Sequence, residues 1–163
     1  MSAMTEGKIA LERAQRIAEA IVKELRPYCR RIEIAGSIRR KKPWVKDIDL
    51  VLIPNDLWNL HAELVKLGQM KMSGSKIVRV LYGSIQVDVY IADEDTWATL
   101  LLIRTGSAQN NIRLAMLAKK RGWHLSASGD GLFDETRERI AGDTEQSIYR
   151  ALDLPWQPPE RRD

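Results

Sequence analysis

One run of residues, Asp47 to Ile53, constrains the fold more than any other stretch of the chain. It reads Asp-Ile-Asp-Leu-Val-Leu-Ile. After the second aspartate every side chain is apolar, and most are β-formers. A strand with one wet face would alternate apolar and polar residues. This one does not, so it predicts a central strand covered on both faces. Such a strand needs helices packed on it, and the flanking sequence supplies them. Ala10, Ala14, Ile17, Ile21 and Leu25 recur at helical spacing with Glu12, Arg13, Arg16, Glu19 and Lys23 between them, an amphipathic helix bounded by Pro27. Leu57, Leu60, Leu64 and Leu67 form the stripe of a second helix, which Asp56 can cap and Gly68 can close.

The other elements follow from the same signals. Arg31 to Ala35 alternates and predicts a strand, broken by Gly36-Ser37; a short basic stretch, Ile38 to Lys46, comes next. Ile77 to Tyr82 and Ile85 to Ile91 are β-rich runs joined by Gly83-Ser84, a hairpin signal. Asp93 to Asp95 opens a helix to about Arg104, and Ser107 can cap another that runs to Arg121. Trp123 to Leu125, Leu132-Phe133 and Arg139-Ile140 predict short strands, Thr144 caps a last helix through Leu152, and Pro155, Pro158 and Pro159 end it in an extended tail. The organisation is α/β first, then helices with a small hairpin, and the boundary falls near Ala92 to Glu94.

Composition removes several function classes. Of the 163 residues 44% are hydrophobic and 29% charged, which is neither disordered nor fibrous. Cys29 is the sole cysteine, so an intramolecular disulfide and a cysteine-built zinc site are excluded. His61 and His124 alone cannot build a histidine-rich site. The longest apolar runs, such as Leu50 to Ile53 and Leu100 to Ile103, are far too short to span a membrane, and the N-terminus has no apolar signal core. The expectation is a cytoplasmic, monomeric protein. A net charge of +4 permits a polyanionic partner without demanding one.

Asp47 and Asp49 stand two apart in the predicted strand, so both carboxylates project to the same side. Two like charges held together repel. A divalent cation turns that repulsion into coordination, and Mg²⁺ suits it, since it takes oxygen ligands and shares its sites with substrate phosphates. Asp88, inside the second strand of the hairpin, would add a third carboxylate from a neighbouring strand and complete a site for two metals. The plainer alternative is that Asp47 starts the strand as a turn residue while Asp49 and Asp88 sit at an exposed edge. Gly36-Ser37 weighs against it. Gly allows close backbone approach and Ser adds a hydroxyl, and together with Arg39, Arg40, Lys41 and Lys42 they form phosphate-binding elements shortly before the Asp-x-Asp pair.

This constellation resembles the nucleotidyltransferase superfamily. The fuller string Gly36-Ser37-Ile38-Arg39-Arg40 followed by Asp47-Ile48-Asp49 resembles the X family of DNA polymerases, the polymerase beta group. Thr105-Gly106-Ser107 with Asn110-Asn111, then Gly131-Leu132-Phe133-Asp134, Arg139-Ile140-Ala141-Gly142, Ile148 to Leu152 and Pro158-Pro159-Glu160 are similar to the family's thumb, in its bacterial form. The similarity runs from about Lys8 to Arg161. It implies a palm over residues 1–93, with a central mixed sheet and flanking helices, and a small helical thumb with a β-hairpin over residues 94–163. The family's N-terminal lyase domain, its helix-hairpin-helix fingers and the bacterial C-terminal phosphoesterase domain fall outside it, an architecture similar to that of the minimal viral member.

The resemblance also implies roles. Asp47 and Asp49 would hold two Mg²⁺ or Mn²⁺ ions, and Asp88 the ion that activates a primer 3′-hydroxyl. Gly36, Ser37, Arg40 and Lys8 would hold the triphosphate, Gly106 and Ser107 would shape the sugar pocket, and Asn111 would touch the base. Arg104, Arg113, Lys119 and Lys120 would contact DNA. The implied partners are gapped or primer-template DNA and deoxynucleoside triphosphates, with short-gap repair as the task. Several positions depart from the family pattern. Lys8 replaces an Arg and so offers a point charge rather than a bidentate fork. Ile103-Arg104 replaces an aromatic pair that helps exclude ribonucleotides, and Ala108 and Ala115 replace larger residues. Gln86 and Tyr90 surround Asp88 where some members carry Arg. A nucleotidyltransferase acting on RNA or protein, and a non-catalytic DNA-binding module, are the alternatives. If the chain is bacterial it would be nucleoid-associated, and if viral it would act in the host cell or virion.

Overall fold

The computed structural model describes residues 6–163. Its centre is a five-stranded mixed sheet built from β2 (Cys29–Ile34), β4 (Ile48–Pro54), β5 (Gln69–Ser73), β6 (Ile77–Tyr82) and β7 (Ile85–Ile91), in the order β2-β4-β7-β6-β5. β4 pairs antiparallel with β2 and parallel with β7. The predicted apolar strand is thus internal, and its two faces enter different cores. Ile48, Leu50 and Leu52 join a cluster with Ala14, Ala18, Ile21 and Leu25 of α1 (Leu11–Leu25) and Leu60 and Leu64 of α3 (Leu57–Leu67). Val51 and Ile53 face the other way and pack with Tyr90, Ala92, Trp97, Ala98, Leu100 and Leu101, the last four from α4 (Trp97–Thr105). Burial on both faces is why the run carries no polar residue after Asp49.

Local details refine the sequence reading. Asp56 caps α3 through its side chain, which accepts from the Trp58 amide at 2.8 Å. Leu57 is left exposed, so the buried stripe rests on Leu60 and Leu64. Gly68 follows α3 in extended backbone open to any residue. Its lack of a side chain is needed because a Cβ would lie 2.0 Å from the Leu81 carbonyl oxygen. Four elements were not foreseen. Gly36-Ser37 does not simply end a strand but opens a single helical turn, α2 (Gly36–Arg39). β5 adds an edge strand, and β1 (Ile9–Ala10) pairs with β3 (Trp44–Val45). Each is too short or too polar to carry a periodic signal.

Beyond α4, Ser107 caps α5 (Ala108–Lys120) by accepting from the Asn110 amide, and Thr144 and Ser147 cap α6 (Glu145–Ala151) reciprocally. The predicted hairpin is a three-stranded antiparallel sheet, β8 (His124–Leu125), β9 (Leu132–Phe133) and β10 (Arg139–Ala141). Leu102 of α4 points into a third core with Leu114, Ala118, Leu132, Ile148 and Tyr149. α4 therefore joins this core to the one above Val51 and Ile53.

The tail is not merely extended. Pro159–Arg161 forms a helical turn, and Arg162 is fully buried. Arg162 Nη1 donates to Glu145 Oε2 at 2.7 Å while its guanidinium lies beside the Tyr149 and Trp156 rings. Arg39 of α2 grips the same carboxylate with two hydrogen bonds, at 2.7 and 2.9 Å. Burial pushes the Glu145 carboxyl up, but the two guanidiniums outweigh it and hold it below the usual range. Removing the carboxylate would strand a buried cation. Glu145→Ala is therefore expected to cost about 3 kcal/mol or more, read from a urea midpoint. Because Glu145 titrates lower folded than unfolded, its contribution is complete above the unfolded value of about 4.3. It is lost as pH falls through the lower folded value, so the wild-type and Glu145→Ala midpoints should converge in acid.

Candidate active site

α4 covers only part of the second face of the central sheet. Val51 and Ile53 lie beneath it, whereas Asp49 occupies the same face at the start of β4, beside the α2 turn rather than beneath α4. The parallel register sets Asp49 directly beside Asp88, and the antiparallel hairpin register sets Arg79 beside Asp88. A row of charged groups, Asp49, Asp88 and Arg79, thus crosses three adjacent strands. Asp47 precedes β4 rather than lying in it, yet it opens onto the same cleft as Asp49.

That cleft has a volume of about 320 Å³. Gly36, Ser37 and Arg40 of the α2 turn form one wall, Asp47 and Asp49 the floor, and Ile103, Arg104, Gly106 and Asn111 the opposite wall. The sequence-predicted residues Gly36, Ser37, Arg40, Asp47, Asp49, Arg104, Gly106 and Asn111 therefore share one space. Ser107 stands next to it as the cap of α5, joined to Gly106 by a cis peptide bond. Asp88 is reached through the strand pairing, although it is 5% exposed. Lys8 is exposed and lies outside the cleft lining.

Close approach decides the α2 wall. Gly36 has φ of 62°, and a Cβ there would lie 2.2 Å from Asp49 Oδ2. Only glycine lets this turn sit against the carboxylate. Arg40 is anchored by donating from Nη1 to the Thr105 carbonyl at 2.6 Å, which ties the α2 wall to the end of α4. Its buried Nε makes no hydrogen bond, the nearest counter-charge being Asp163 Oδ1 at 3.9 Å, and the buried Arg104 Nε and Asn111 Oδ1 likewise make none. Asn111 is oriented by donating from Nδ2 to the Ile103 carbonyl at 2.8 Å. The Arg104 guanidinium stacks 4.2 Å above the centre of the Tyr90 ring. Buried donors and an acceptor left without hydrogen bonds in one cleft call for a polar partner there, water or ligand.

The carboxylates are electrostatically crowded. Burial, then Asp88 and Asp47, push the Asp49 carboxyl up to about 7, against the pull of Arg104 and Arg40. Burial and Asp88 also raise Asp47, with Lys46 and Arg79 opposing. All three donors are hard oxygens, which fits Mg²⁺ or Mn²⁺. Asp47 and Asp49 accept no side-chain hydrogen bond among the described residues, so their lone pairs are free for such an ion. Asp88 is otherwise engaged by Arg79 and Gln86. Accordingly, no three carboxylate, imidazole or thiol groups converge on one point among the described residues.

A second hollow, of about 650 Å³, runs along α5 between Gln109, Ile112, Arg113, Met116, Lys119 and Lys120. Its middle is apolar, since Ile112 and Met116 are 58% and 65% exposed, and its rim is basic. Arg113 also serves the fold, donating to the buried Asn110 at 2.9 Å, which in turn donates to the Tyr149 hydroxyl.

A family model and a known protein resemble parts of the chain. The DNA polymerase beta thumb family model matches residues 100–163. The DNA polymerase/3′-5′ exonuclease PolX of Bacillus subtilis (strain 168) is 32% identical over 158 residues, covering 92% of this chain and 28% of that protein. The chain thus spans little more than a quarter of that relative's length.

The geometry of the α2 wall can be tested alone. Gly36→Ala is expected to lose about 1–3 kcal/mol, since it adds a clash with Asp49 to an unfavourable positive φ. An unchanged urea midpoint would mean that the turn shifts freely.

Proposed function

The chain belongs to the X family of DNA polymerases, and on that premise we propose that it adds deoxynucleotides to a primer 3′-hydroxyl, filling short gaps in DNA. The observation that carries the reading is the shared cleft. A glycine turn with Arg40 at its end faces the carboxylates of Asp47 and Asp49 across a space of about 320 Å³. A phosphate-binding wall set against a hard-cation floor is what transfer of a nucleotidyl group requires.

In this reading Gly36, Ser37 and Arg40 hold the triphosphate, and Arg40 Nε, which makes no hydrogen bond and lies 3.9 Å from Asp163 Oδ1, would exchange that ion pair for phosphate. Asp47 and Asp49 would hold the divalent cations, with Asp88 as their third carboxylate. Bound there, Mg²⁺ or Mn²⁺ would neutralise phosphate charge and acidify the primer hydroxyl. The 3′-hydroxyl gives its proton to solvent water and its oxygen attacks the α-phosphorus. The bond between that phosphorus and the bridging oxygen to the β-phosphate breaks, and pyrophosphate leaves. Gly106 leaves room beside Arg40 for the sugar, and the free Asn111 Oδ1 accepts from the nucleotide. Arg104, stacked on Tyr90, gives the cleft a cationic rather than aromatic flank, so discrimination against ribonucleotides is expected to be weak.

The basic rim of α5, with Arg113, Lys119 and Lys120, is the surface for the DNA backbone. Ile112 and Met116 between them offer apolar contact to sugars and base edges. Affinity carried by phosphate contacts falls steeply with salt.

Primer extension on gapped, nicked and single-stranded DNA, with deoxy- and ribonucleotides and with Mg²⁺ or Mn²⁺, tests the reading. Incorporation should be greatest on gapped DNA. Asp49→Asn should lower the rate by about 100-fold or more, the equivalent of several kcal/mol of lost charge stabilisation. Full activity in that variant would refute the site assignment. DNA affinity should drop with rising salt, and Lys119→Ala with Lys120→Ala should flatten that slope by about 1 to 2 counterions.

A further inference from the structure

Asp88 differs from the other two carboxylates in how completely it is used. Arg79 Nε donates to Oδ1 at 2.8 Å, and Nη2 reaches Oδ2 at 3.5 Å. Gln86 Nε2 donates to the same two oxygens, at 3.4 and 3.2 Å. An ionised carboxylate has about four lone-pair sites, and here each oxygen already faces two donors. The Asp88 side chain is 7% exposed, so water adds little competition, whereas the Arg79 side chain is 36% exposed and reaches it from the solvent side. The carboxylate that would complete the metal cluster is thus occupied by the protein's own cation. This is a disagreement in geometry, not in chemistry, because the donors fit a hard cation and only their orientation does not.

We infer that Arg79 is a positioning residue that latches Asp88 away from the divalent cation in the substrate-free protein. The inference rests on the nucleotidyl-transfer reading above. A first cation then binds on Asp47 and Asp49 alone. Asp88 joins when Arg79 gives up one lone pair, swinging toward solvent through its exposed side. Arg79 sets the order in which the cluster assembles. It opposes premature capture of an ion by occupying the lone pairs of Asp88 with charge-assisted hydrogen bonds. Gln86 alone would hold Asp88 only weakly, because its amide is neutral and its hydrogen bonds are long.

The sign of this effect is testable without turnover. Mn²⁺ binding to the whole chain, free of DNA and nucleotide, is measured by electron paramagnetic resonance and by calorimetry. The proteins are wild type, Arg79→Gln, Arg79→Lys, Asp88→Asn and the Arg79→Gln/Asp88→Asn pair. Arg79→Gln should bind Mn²⁺ on the order of tenfold more tightly than wild type, because the released Asp88 carboxylate becomes a third oxygen ligand. Asp88→Asn should change wild-type affinity by less than about twofold, yet cancel the whole gain when added to Arg79→Gln, a strong non-additivity. Arg79→Lys keeps the charge without the fork and should fall between. A thermal melt confirms that each variant is folded, and Arg79 is exposed enough for Gln to be tolerated.

Equal or weaker binding by Arg79→Gln would overturn the latch, and weaker binding would mean that Arg79 prepares Asp88 for the ion. A gain that survives Asp88→Asn would overturn it too. Absence of Mn²⁺ binding by every protein, Arg79→Gln included, would do the same. The wider reading is judged separately. Primer extension that Asp49→Asn abolishes, with Arg79→Gln and wild type binding Mn²⁺ equally, sinks the latch and leaves the polymerase standing. Tighter Mn²⁺ in Arg79→Gln with no extension by wild type supports the latch and sinks the polymerase.

Discussion

The parallel pairing of β4 with β7 places the carboxylate of Asp49 beside that of Asp88, in a part of the sheet that is largely buried. Like charges at adjacent strand positions are unfavourable, and burial makes them more so. The fold does not relieve this by exposing them. It holds them with a central strand buried on both faces, whose packing fixes register over its whole length. Shifting β4 by one residue would turn every apolar side chain to the wrong face. The hydrophobic core therefore supplies the free energy that keeps two acids together, and Arg79 meets the charge from one side only. The raised Asp49 carboxyl records what remains unbalanced.

The cleft also needs its second wall to stay in place, and the wall stands on the third core. Two connections reach across. Arg40 donates to the Thr105 carbonyl, and Arg39 bonds both the Thr105 hydroxyl and Glu145. Glu145 is shared with the buried Arg162, whose carbonyl in turn accepts from the Ser107 amide. A single carboxylate so joins the phosphate-facing turn, the start of α6 and the C-terminal segment. Adjacent arginines thereby divide the work, with Arg39 spent on Thr105 and Glu145 while Arg40, tied to the Thr105 carbonyl, lines the cleft.

Much of this was legible in the residues. The central strand, the hairpin, the caps at Asp56, Ser107 and Thr144 and the gathering of Gly36, Arg40, Asp47 and Asp49 all follow from short-range rules. The partner of Asp88 was readable too. With a two-residue turn at Gly83-Ser84, Tyr82 pairs with Ile85, and stepping back along the ladder brings Arg79 to Asp88. Lys8 went the other way, since the resemblance gave it a phosphate role and the fold leaves it exposed outside the cleft lining. The α2 turn and the Arg162 anchor left no trace, because one is a single turn of four residues and the other depends on contacts far along the chain.

The sequence alone determined the periodic elements and the chemistry of the site, because hydrophobic spacing and residue type are local properties and three aspartates are oxygen donors in any fold. The tertiary structure decided which of those donors are free. Asp47 and Asp49 open onto the cleft, while Asp88 is turned onto Arg79 and Gln86. It also decided that a tail which reads as loose is an anchored segment with a buried arginine. Both outcomes depend on where strands and helices from distant parts of the chain bring their charges together. Pairing between charges is settled by distance and burial, and neither is written in the order of residues.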